Sequence, residues 1–224
     1  MKTPGKIGRR GFLHSTAGAA AGLACCRVPG QSGGATAPAG RAWKLPEKSQ
    51  ARQDFEADVR SRKVIFVSHC ALNQNARIVR AADFPAMFEP LLAAMRENNI
   101  GVVQLPCPEL RVLGLGRRAV REGLESAEGR EHLGLIIDDL IYEIRQYQLQ
   151  GFRVVGILGK EGSPACGVTT TWWEGPDKEG PGEGEGVFLR LIRERLEQEQ
   201  LDIPICGVAD HEQEKAIQWV LERV

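Results

Sequence analysis

The chain of 224 residues is 42% hydrophobic, enough apolar content to fill the core of one good-sized domain, and it carries 29 basic and 29 acidic residues. That balance excludes bulk electrostatic attraction to nucleic acid, which is not an expected partner. Of six cysteines, Cys25 and Cys26 lie near the N-terminus; the other four are far apart and form no CxxC pair, which excludes a zinc ribbon or a common ferredoxin spacing and argues against a disulfide framework.

Lys2, Lys6, Arg9 and Arg10 precede a short apolar stretch from Phe12 to Ala24. A charged segment followed by an apolar one too short to span a bilayer reads as a signal peptide over residues 1–26. Within it, Arg9-Arg10-Gly11-Phe12-Leu13 resembles a twin-arginine export signal, which implies the twin-arginine machinery as a partner and an exported, extracytoplasmic protein. Gly22-Leu-Ala-Cys25-Cys26 resembles a bacterial lipoprotein processing site, so a periplasmic and a membrane-anchored form both stay open. Residues 27–53 read as a flexible linker rich in Gly, Ser, Pro and Ala, and residues 54–224 as a single α/β domain.

That domain opens with a short charged helix expected over Asp54–Arg62 and a strand over Lys63–Ser68. Phe84, Phe88, Leu91, Leu92 and Met95 recur at helical spacing within Asp83–Glu97, and Ile100–Leu105 is the next strand. A long helix is expected over Arg130–Leu149, ended by Gly151, and a third strand over Phe152–Leu158. The glycine-rich, acidic stretch 175–186 lacks the lysine of a phosphate loop and reads as a flexible lid. Val187–Glu199 reads as a helix, Ile203–Val208 as a strand and Asp210–Arg223 as a closing helix begun by a capping box of Asp210 and Gln213. Strands alternating with helices predict a Rossmann-like three-layer domain with a mainly parallel sheet.

On that reading Cys70, Cys107 and Cys166 share one address, just past the ends of three successive strands, where open α/β sheets bind ligands. Prolines flank Cys107 and fix its backbone; Gly159 and Gly167 bracket the third segment and suit close approach to an inorganic ligand. Soft thiolates select zinc, copper(I) or an iron-sulfur cluster. His69 neighbours Cys70, but side chains alternate along a strand, so the two are poor partners on one metal. Three sulfurs without an evident fourth ligand suit a cluster with one open iron. The polar loop after Cys70, Asn73 included, can point donors into the cleft; Trp172 and Trp173 can stack on a flat heterocycle; Cys206 reads as a buried structural thiol.

The set Ser-x-Cys-x-Leu at Cys70, Cys107-Pro-Glu109, Ser163-Pro-x-Cys166-Gly167 and Gly184-x-Gly-Val187 resembles the thiouracil desulfidase family, and Ser68-His-Cys-Ala-Leu-Asn-Gln-Asn75 is similar to a desulfidase-related branch of it. The resemblance implies an enzyme in which Cys70, Cys107 and Cys166 hold a 4Fe-4S cluster, Glu109 activates water, Ser163 orients substrate, and a small thiolated compound loses its sulfur as sulfide. The family's segments beyond Glu109 and Asn75 are replaced here by Leu110–Arg117 and Asn75–Val79, so the substrate need not be thiouracil. The alternative is a non-catalytic exported metal or iron-sulfur module for binding or electron transfer.

Overall fold

The computed structural model describes residues 58–174 and 178–224. The expected leader, processing site and linker lie outside the described residues, as do the first residues of the expected helix over Asp54–Arg62; its described part, 58–62, forms no regular element. Among the described residues no helix is long and apolar enough to cross a membrane.

The chain folds as a mixed α/β domain on a four-stranded parallel sheet: β1 (Lys63–Ser68), β2 (Gly101–Leu105), β3 (Arg153–Lys160) and β6 (Ile205–Val208), in the order β2-β1-β3-β6. The chain leaves β1 to one side to form β2, then crosses to the other side to form β3. A cleft for ligands opens at such a reversal, outside the carboxyl ends of the central strands. Alternation along β1 divides the core in two. Phe66 points into a cluster with Leu133, Ile137, Leu140 and Ile144 of α5 (Ala127–Leu149) and Phe188 and Ile192 of α6 (Val187–Gln198). Ile65 and Val67 point the other way, toward Leu91 and Met95 of α2 (Glu89–Glu97) and Ala216 and Val220 of α7 (Gln213–Leu221). Each of the buried Val, Leu, Ile, Met and Phe side chains among these contributes on the order of 1.5–3 kcal/mol of hydrophobic stabilisation.

Several elements differ from the sequence expectation for local reasons. Helix α2 starts at Glu89 rather than near Asp83, because Pro85 disfavours helical backbone at Phe84, while Pro90 sits in the first turn, where a missing N–H costs nothing. The long helix α5 begins earlier, at Ala127, where Ser126 accepts the Gly129 amide as its N-cap. Two short helices, α3 (Pro108–Leu113) and α4 (Val120–Glu125), follow Cys107. The stretch expected as a lid is in part a strand: β5 (Gly180–Glu183) pairs antiparallel with β4 (Thr170–Trp173), and residues 175–177 lie outside the described set. Asp210 caps nothing with its side chain; α7 starts at Gln213.

Candidate functional site at the strand ends

A cavity of about 330 Å³ opens at the carboxyl ends of β1, β2 and β3, and its lining includes Cys70, Cys107, Cys166, Glu109 and Ser163. The three strand-end thiols therefore do meet. Cys70 lies in the short helix α1 (His69–Leu72) that starts directly at the end of β1. Cys107 is the N-cap of α3, its Sγ accepting the Leu110 N–H at 3.4 Å, a position whose unpaired amides favour a thiolate. Cys166 is buried at the close of the turn after β3.

Burial dominates the chemistry of all three. It pushes the Cys70 thiol up to about 11, against the pull of Arg77 and Lys160; it raises Cys107 despite the Leu110 amide, and it raises Cys166 well above an ordinary thiol, with Cys70 adding to the effect. The thiols are free and feel one another's charge. One buried and two half-buried soft donors, whose ionisation burial opposes, are groups that could hold a cationic, thiophilic centre. Among the described residues no three His, Cys, Asp or Glu side chains crowd closely enough to enclose a single metal ion. All three cysteines line the one cavity.

Beside them lies a hydrogen-bonded line. Arg117, 3% exposed at its side chain, donates Nε–H to Glu109 Oε2 at 2.8 Å and Nη2–H to the Ala76 carbonyl at 2.8 Å. Ser163 donates its hydroxyl to Glu109 Oε1 at 3.1 Å and accepts the Cys166 and Ala165 amides at 3.0 and 3.2 Å. Ser163 thus shapes the turn that carries Cys166 and also fixes the Glu109 carboxylate. The same turn is clasped from behind by Glu161, whose carboxylate accepts the Thr169 and Thr170 amides and both hydroxyls, which lower its pKa although burial opposes them. This packing requires Gly167 and Gly159: a Cβ on Gly167 would sit 2.1 Å from the Thr170 carbonyl oxygen, and one on Gly159 2.7 Å from that of Cys166.

Other expected site residues are placed differently. Trp172 lines the cavity, but Trp173 does not: its ring lies beneath the Arg121 guanidinium at 4.2 Å, and its Nε1–H donates to the Glu183 carbonyl. Asn73 is also outside the cavity, capping the 3-10 turn Gln74–Ala76 by accepting the Asn75 amide. Cys206 is half-buried and off the cavity. His69, by contrast, lines it together with Cys70, because β1 ends at Ser68 and strand alternation no longer applies; its buried Nδ1 has no partner among the described residues.

The sequence reading gave no role to Lys160 or Arg77 and took Asp210 as part of a capping box. Lys160 ends β3 and lines the cavity with Arg77; both cations pair with Asp210 at 2.9 Å. A lysine at the end of an otherwise apolar strand, at the same address as the cysteines, was the available signal.

No family model matches the chain. Over 111 residues it is 28% identical to the uncharacterized protein MJ0003 of Methanocaldococcus jannaschii, an alignment that spans 49% of this chain and 70% of that protein. Among solved structures, the 4Fe-4S-dependent thiouracil desulfidase TudS is similar at a TM-score of 0.44 and 21% identity, with 72% of this chain and 99% of that one covered. The functional reading rests on the geometry of the site itself.

Proposed function

We propose that this protein is an iron-sulfur desulfidase that removes sulfur from a small thiocarbonyl compound, on a Rossmann-like three-layer frame. The observation that carries the proposal is the meeting of Cys70, Cys107 and Cys166 in one cavity with the hydrogen-bonded pair Glu109–Ser163. When bound to the three cysteines, a 4Fe-4S cluster would supply one iron without a protein ligand, a Lewis acid for the substrate's sulfur.

The chain's own groups account for the rest. In the overall reaction water adds to the thiocarbonyl carbon, C=O replaces C=S, and the water's two protons leave with the sulfur as hydrogen sulfide; no electrons are exchanged. Glu109 is the general base that takes the first of those protons. Arg117 and Ser163 bind one carboxylate oxygen each and so fix its direction. Ile78, Ala81, Val120 and Trp172 line the same cavity and offer apolar surface to a flat substrate. Residues 1–26 are proposed as the export signal and 27–53 as the tether to this domain.

Anaerobic reconstitution with iron and sulfide should give about four of each per chain, and alanine at Cys70, Cys107 or Cys166 should abolish this loading. Full loading of all three single variants would overturn the ligand set. Loading without sulfide release from any thiocarbonyl compound would overturn the enzyme reading and leave a binding or redox module. Glu109→Gln should load normally yet lose release by about a hundredfold or more.

A further inference from the structure

Lys160 and Arg77 have no part in the chemistry just described, yet they line the same cavity. The Lys160 side chain is 7% exposed, and its ammonium donates to Asp210 Oδ2 at 2.9 Å and to the Glu161 carbonyl at 2.6 Å, which leaves a third proton. Arg77 Nη1 serves Asp210 Oδ1 at 2.9 Å and Gln74 Oε1 at 3.3 Å; Nε and Nη2 have no protein acceptor among the described residues. Two cations thus share one carboxylate, with one positive charge in excess. The cavity's third cation, Arg117, is committed to Glu109 and to backbone carbonyls. Of the other carboxylate in the lining, Glu174, one oxygen accepts the Arg121 amide at 2.7 Å.

A buried lysine beside a half-buried arginine, both with spare donors in a cavity, is a receptor for an anion. The excess of one positive charge is local to this end of the cavity, whose lining also holds the Glu174 carboxylate, and so suits a monoanion better than a phosphate dianion. The volume agrees, because about 330 Å³ is near the lower end for ligand pockets and the thiol-bound group must share it. Resting on the desulfidase reading for the nature of the sulfur, we infer that the substrate is a small thiocarbonyl compound bearing a carboxylate, which Arg77 and Lys160 bind while the thiocarbonyl faces the cysteines.

The test separates this inference from the reading beneath it. Calorimetric titration of the full-length protein, without and with reconstituted iron and sulfide, uses uracil and uracil-6-carboxylate, which carry no sulfur. The carboxylate should bind at least about tenfold more tightly in both preparations, as a charge-assisted contact requires. Arg77→Met should remove that preference, and Lys160→Met likewise. Asp210→Asn, which frees both cations, should increase it, so a folding failure of one variant leaves the others decisive. Equal affinity for the two compounds, or a preference unchanged in Arg77→Met, overturns the inference. So does Arg77→Met losing iron while it keeps the carboxylate preference, since the cations would then serve only Cys70. Displacement of the carboxylate by inorganic phosphate at lower concentration than by acetate overturns the monoanion assignment.

With 2-thiouracil and its 6-carboxylate, faster sulfide release from the carboxylate supports both readings. Equal release from both overturns the carboxylate inference and keeps the desulfidase. Absence of release with the binding preference intact defeats the desulfidase and keeps the anion site.

Discussion

Removing the Arg117 guanidinium gives the sharpest test of how the cavity is held. Arg117→Met keeps most of the stem but strands the Glu109 carboxylate, itself 12% exposed at its side chain, and leaves the Ala76 carbonyl without its donor. Breaking a buried pair from one side costs about 3–5 kcal/mol. The lower end applies, because Ser163 still donates to Glu109 and the carboxylate faces a cavity that admits water. About 3 kcal/mol in a domain of this size lowers the melting temperature by about 6–12 °C. Glu109→Gln alone should also destabilise, by stranding the guanidinium. The double variant should be less destabilised than the sum of the two, by about 1.5–3 kcal/mol, when urea unfolding of all four proteins is compared. Additivity within about 0.5 kcal/mol would show that the two groups do not share the pairing described, and the oriented base would lose its support.

Three further outcomes follow from the same geometry. Gly186→Ala places a methyl group 2.3 Å from the Ala165 carbonyl carbon and 2.7 Å from the Cys166 amide nitrogen, so this backbone must move; the variant should melt lower and load less iron. In the metal-free protein Cys70, raised to about 11, should stay a thiol at pH 8 and react with a thiol reagent many times more slowly than in urea; because its pKa is raised on folding, the associated stability is present below about pH 9 and lost as pH climbs through about 11. Burial raises Asp210, but its bonds to Lys160 and Arg77 outweigh this and lower it; that contribution is present above the ordinary aspartate value of 3.8 and fades as pH falls beneath it. The stability gap between wild type and Asp210→Asn, measured by urea unfolding, should therefore be flat near neutrality and shrink below about pH 4.

The parallel strands were legible because their apolar runs are short, β-branched and followed at once by polar or glycine-containing turns. The cysteine address followed from those strand ends. What escaped was set by contacts distant in sequence. Gly180–Glu183 has no strand propensity of its own and is a strand only because Thr170–Trp173 offers it a partner. Asp210 and Gln213 have the spacing of a capping box, but Lys160 and Arg77 compete for the carboxylate and outbid the backbone amides. Trp172 and Trp173 are adjacent in a strand and so face opposite ways, which sends one ring to the cavity and the other beneath Arg121.

The three cysteines follow the ends of neighbouring strands, whose separation is set by ladder hydrogen bonds, close to 4.8 Å per step. The sheet fixes where these three segments begin, and the short helices and turn that follow carry the thiols to the cavity. Small zinc modules collapse when their metal is withdrawn, because the ion is their core. Here the hydrophobic clusters on both faces stand without help from the cavity, so the empty protein should remain folded, ready to be filled, stripped and filled again.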